Sequence, residues 1–224
     1  MRKAALLVMV FSLAFSAAAH PQQATIQRRY EWTYSDRSWT LTHGFSGVVY
    51  QFYATRPRTL DYSAYGIYTD DTRDDSQLAS LVSALETLAA EAGLNVWEKL
   101  NLVVSFVQAI PYCAEEGEYP RYPIETLVDA CGDCEDVAIL AAALLKQMGY
   151  GAVLLAFLEE KHMAVGVRVL PPEGDDLTAY EWNGDDYYFV EPTSPGWAIG
   201  RIPDVYASEP VIVAPRTTIA ASRR

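Results

Sequence analysis

The stretch CGDCEDVAILAAALLKQMGY, residues 131–150, decides how the rest of the chain is read. From 137 to 148 every position is apolar except Lys146 and Gln147. A helix apolar on all sides belongs inside a core. Asp133 is a good N-cap, Asp136 stands three residues later as in a capping box, and Gly149 supplies the stop. Cys134 then lies in the first turn, where unpaired N–H groups and the helix dipole favour an anion, so a lowered thiol pKa is expected. Glu135 and Asp136 oppose this by like charge, and an activated thiol here requires a basic partner. The plainer reading is an inert, buried structural cysteine.

The chain has 224 residues, half of them hydrophobic, which is enough for one substantial core. Arg2 and Lys3 precede a mostly apolar run over 4–15 and small residues over 16–19. That pattern predicts a secretory signal, residues 1–19, and a secreted or periplasmic protein. The run is too short to span a bilayer, which takes about 20 residues, and no second run approaches that length. Removing 1–19 takes away two basic residues and leaves 15 basic against 29 acidic, a net charge of −14. Such a balance argues against a nucleic-acid partner. Three cysteines in an exported chain leave one over, a candidate free thiol. Nothing in the sequence assigns an oligomeric state.

Outward from the central helix, residues 24–34 and 39–46 alternate apolar and polar, which predicts a β-hairpin with one buried face. His43 falls on that face and reads as a core histidine. Residues 48–68 are rich in tyrosine and fit strand or helix. Asp70, Asp71, Asp74 and Asp75 lack the spacing of a calcium loop and read as a solvated helix start. Two amphipathic helices follow, with stripes from Leu78 to Ala89 and from Val96 to Val107. Asn95 and Glu98 form a capping box for the second. Pro123 opens a short helix over 124–128. Beyond the central helix, 152–158, 161–169, 178–182 and 186–191 read as strands, with Asn183-Gly184 as a tight turn. His162 shares a face with Ala164 and Gly166, where small residues let another element approach. Glu191 shares one with Tyr187 and Phe189. If the strands at 161–169 and 186–191 are antiparallel neighbours, His162 lies beside Glu191. A meander in chain order would separate them.

A nucleophile opening a buried helix, then histidine on one strand and a carboxylate on another, resembles the transglutaminase-like superfamily, most closely its bacterial cysteine peptidases. The residues carrying the resemblance are YPIETL (122–127), GDCED (132–136), HMAV (162–165) and YFVEPT (188–193), within roughly 95–200. It implies an α+β fold with a papain-like core, the nucleophile-bearing buried helix packed on an antiparallel β-sheet. It further implies Cys134 as nucleophile, His162 as general base and then acid, and Glu191, where the family usually has aspartate, as the residue orienting the imidazole. Asp136 matches the motif's second acid, a cap or hydrogen-bond acceptor and in some relatives part of a calcium site, so calcium is the one cofactor the resemblance admits. The chemistry implied is acyl transfer on a protein or peptide substrate, by hydrolysis or transamidation through a thioester. The Cys134 N–H is one oxyanion donor, with Gln108 the candidate second and Asp133 a supporting residue. The expected organisation is a single domain over 20–215, with an N-terminal part at 24–70 that shapes access, a catalytic core at 76–205, and a loose tail at 216–224.

Three rivals stand beside this. Cys131 and Cys134 form a C-x-x-C at a helix start, as in thiol–disulfide oxidoreductases. A zinc site would draw on Cys113, Cys131, Cys134 and a histidine. A catalytically silent binding module would keep the fold alone. Cysteine pairing separates the first from acyl transfer, since acyl transfer expects Cys113–Cys131 with Cys134 free and the redox reading expects Cys131–Cys134.

Overall fold

The computed structural model describes residues 24–114 and 117–214, so the expected signal at 1–19 and tail at 216–224 lie outside the described residues. Strands β1 (Thr25–Tyr34) and β2 (Arg37–Ser46) pair antiparallel along their whole length. The turn is two residues, Ser35 and Asp36, where the sequence suggested four. Both have positive φ (50° and 56°), the backbone that matches strand twist and lets pairing continue to the turn. The expected face is buried through Trp32, Trp39, Leu41 and Phe45. His43 sits half-buried against Phe45, and burial pushes its pKa down, which keeps the ring neutral. The hairpin does not stand apart from the core. Arg28 Nε donates to the Val128 carbonyl, and Tyr30 Oη donates to the Leu127 carbonyl at 2.7 Å.

The tyrosine-rich segment resolves as helix α1 (Gly47–Ala54), a 3₁₀ turn at Tyr62–Ala64 and helix α2 (Gly66–Asp70). Tyr53, Tyr65 and Tyr68 are interior. Tyr53 Oη donates to Asp71 at 2.5 Å and Tyr68 Oη to the Thr59 carbonyl at 3.2 Å, the partners a buried phenol needs. Between them Arg58 is buried against Glu125, with Nη2 2.7 Å from each carboxylate oxygen.

Helices α3 (Asp75–Glu91) and α4 (Val96–Gln108) bury the expected stripes, and the Asn95–Glu98 capping box is formed. The acidic start of α3 is not solvated as expected. Asp74 is 1% exposed, and burial pushes its pKa up to about 7. Alternation identifies the buried face of a regular element. It carries no information about a residue just outside one, as Asp74 is.

Helix α5 (Pro123–Asp129) leads through Ala130 (φ 53°) to α6 (Cys134–Gln147), whose residues from 136 to 145 are all buried. Its cap is the expected one. The Asp133 carboxylate accepts from Asp136 N, and the Asp136 carboxylate accepts from Asp133 N. Lys146, at the far end, reaches Asp70 at 2.6 Å.

Strands β3 (Gly151–Phe157), β4 (His162–Arg168), β5 (Ala179–Trp182), β6 (Asp185–Val190) and β7 (Val211–Val213) form one antiparallel sheet in the order β5-β6-β4-β3-β7. β6 lies against β4, so the neighbour arrangement holds and the meander does not. The fold is α+β. The face carrying Leu154, Met163, Val165 and Val190 packs in the main core with α6, and the face carrying Val153, Leu155, Phe157, Ala164 and Phe189 forms a second, smaller one. Gly166 explains the small residues noted there. A β-carbon on it would come within 2.9 Å of Tyr187 Cβ and 3.1 Å of Val153. No helix among the described residues is long and apolar enough to cross a membrane.

Candidate active site

The N-terminus of α6 and the first residue of β4 meet at one cavity of about 350 Å³, whose lining includes Cys134, Glu135, His162, Met163, Tyr65 and Tyr62. The wall from 60 to 65 comes from the tyrosine-rich segment. The hairpin contributes nothing to it, so only part of the N-terminal third borders the site as expected.

His162 and Glu191 are brought together. Nε2 lies 3.1 Å from Glu191 Oε2, with Glu191 wholly buried. This follows from topology, because β4 and β6 run antiparallel and Glu191 continues β6 toward the beginning of β4. The other carboxylate oxygen accepts from Thr193 N at 2.8 Å and from Thr193 Oγ1. Burial alone would raise the Glu191 pKa. The bonds from His162 and Thr193 outweigh it and hold the carboxyl below its usual range.

Cys134 is the free cysteine, and Cys113 is joined to Cys131. That pairing takes Cys131 out of any C-x-x-C exchange and removes two of the thiols a zinc site would need. The expected lowering of the Cys134 pKa is not found. Burial, then the Glu135 carboxylate that accepts the thiol hydrogen at 3.2 Å, pushes it up to about 12. A helix dipole contributes about 0.3–1 kcal/mol, while a rise of this size corresponds to about 4 kcal/mol, so the dipole loses. Among the described residues the thiol makes no hydrogen bond to the His162 ring. The two line one cavity without a hydrogen bond between them.

Gln108 does not face this cavity. Its Nε2 donates to the carbonyls of Glu191 and Trp197, both at 2.8 Å. Both amide hydrogens are thereby used, and what Gln108 does is hold the chain on either side of Pro192. Asp136 is fully buried and accepts from Arg121 N at 2.6 Å as well as from the Arg121 guanidinium. Burial still raises its pKa to about 6. Both its oxygens are engaged by protein donors, and among the described residues no cluster of three or more His, Cys, Asp or Glu side chains is disposed to hold a metal ion.

One site residue has no signal in the sequence motifs. Tyr206, from the segment after the last long strand, lies flat on the His162 ring, centroids 4.5 Å apart and planes within 6°. Nothing in periodicity marks it, because it lies in a turn between strands.

No family model and no curated protein matches the chain. Among solved structures it is similar to LapG of Legionella pneumophila, at 18% identity over 73% of this chain and 80% of that one, with a TM-score of 0.39. It is similar also to a candidate cysteine protease from Cytophaga hutchinsonii, at 13% identity over 84% of this chain and 71% of that one, with a TM-score of 0.39.

Proposed function

We propose that this chain is an exported cysteine acyl-transfer enzyme that acts on amide bonds of a protein or peptide. The observation that carries the reading is the His162–Glu191 bond, with His162 lining the cavity that holds the only unpaired cysteine among the described residues. Glu191 on Nε2 leaves Nδ1 as the ring nitrogen for the thiol. In the reaction Cys134 Sγ passes its proton to His162 and attacks the amide carbonyl. His162 returns the proton to the departing amine, and a thioester remains. Water then gives hydrolysis, and a lysine amine gives transamidation. The Cys134 N–H is the first oxyanion donor; Gln108, with both hydrogens used, supplies none. The Cys113–Cys131 disulfide suits an oxidising compartment, in keeping with export.

The thiol bonded to Glu135 is a resting arrangement, and the His162 pathway opens when that bond is exchanged. The test is the rate of Cys134 alkylation against pH in the wild type and in His162→Ala. A reactive component below the resting thiol's pKa of about 12 is expected in the wild type, and the variant is expected to lose it. Superimposable profiles would remove His162 from the mechanism and leave a silent module.

A further inference from the structure

We propose that Tyr206 is a positioning residue for the His162–Glu191 pair and that the Glu160 carboxylate locks it in place. Its ring covers one face of the imidazole, and it is backed by Phe157 at 5.4 Å and Phe189 at 6.3 Å between centroids. The stack leaves the imidazole plane one orientation, the one in which Nε2 meets Glu191 and the opposite edge faces the cavity. It also keeps water from one side of that bond, which strengthens a charge-assisted contact in a low-dielectric setting.

The lock is independent of the stack. The turn over 158–161 joins β3 to β4, and Glu160 sits two residues before His162. Its carboxylate accepts from Ala207 N at 3.0 Å, Ser208 N at 2.9 Å and Ser208 Oγ at 2.5 Å. Those donors follow directly on Tyr206. Ring and histidine are therefore both tied to the same hairpin turn, by packing and by three hydrogen bonds. The inference rests on the His162–Glu191 pair of the proposed enzyme, but its test does not use activity.

That test is the solvent exchange of the His162 Nε2 proton, observed as a downfield imidazole N–H resonance. His20→Gln and His43→Gln assign it, since His20, His43 and His162 are the chain's three histidines. Tyr206→Leu is expected to speed exchange at least tenfold, Glu160→Ala severalfold, and Tyr206→Phe, which keeps the ring but loses the hydroxyl's bond to the Glu191 carboxylate, clearly less than the Leu variant. Absence of the resonance in the wild type, wild-type exchange in Tyr206→Leu, or equal acceleration in Phe and Leu variants would overturn the stack. Wild-type exchange in Glu160→Ala would overturn the lock. Alkylation of Cys134 is measured separately, so the acyl-transfer reading and this inference fail on different data.

Discussion

Glu135→Gln is the perturbation that isolates what holds the nucleophile at rest. Cys134 stands at about 12, about three pH units above an ordinary thiol, and burial is the first cause, with the Glu135 charge and hydrogen bond behind it. A unit charge about 4 Å away is worth up to about 4 kcal/mol at an effective dielectric of 20, which alone would equal the whole rise. Burial is the largest single cause and the Glu135 charge the next, so about one pH unit, a fraction of that upper bound, is the working figure for the charge. The amide of the variant would keep the shape and an acceptor oxygen while removing the charge. At pH 8, well below the thiol pKa, one unit means a tenfold larger thiolate fraction. A less basic thiolate is also a weaker nucleophile, with a Brønsted slope of about 0.4–0.5, so the observed gain is about three- to fourfold. The assay is the second-order rate of iodoacetamide alkylation between pH 6 and 10, with circular dichroism to establish folding. An equal or slower rate in folded Glu135→Gln would refute the assignment of Glu135 as the restraint.

Asp74 makes the protein more stable on mild acidification. Its folded pKa of about 7 lies above an unfolded value of about 3.9, so the folded state holds the proton between those pH values and stability falls as pH rises through them. Asp74→Asn is therefore expected to stabilise by about 2–4 kcal/mol at pH 8 and by almost nothing at pH 4 in urea unfolding, and a pH-independent difference would contradict this. The Cys113–Cys131 disulfide spans a sequence separation of 18, and the double serine variant is expected to lose about 3 kcal/mol in the same assay. Loss of less than about 1 kcal/mol would mean that the loop is held by its other contacts.

The motifs make the centre of the molecule legible and its surroundings less so. An apolar run with caps at both ends has one stable location, and α6 takes it. His162 and Glu191 are legible as members of strand faces, and their meeting requires only the choice between two pairings. The thiol pKa of Cys134 is not legible, because a helix terminus is a local feature, whereas desolvation depends on distant segments, β4 and 60–65 among them, that line the same cavity. The direction of Gln108 escapes for a related reason. It is the last residue of α4, just past the stripe, and where its amide turns is set by the chain around Glu191 and Trp197. Tyr206 is invisible, since residues in turns carry no period and its partner lies 44 positions earlier.

The bonds from Arg28 and Tyr30 to the carbonyls of Val128 and Leu127 make the hairpin more than a neighbour of the core. The last carbonyls of a helix lack partners within it, and α5 ends just before the disulfide and the nucleophile. The first strand serves as an external terminator for that helix, from about 100 residues away in sequence. Loosening it would release the connection that aims Cys134. Amide exchange of the hairpin and of 123–134 is thus expected to share one cooperative opening, with damage at the edge of the molecule felt at its centre.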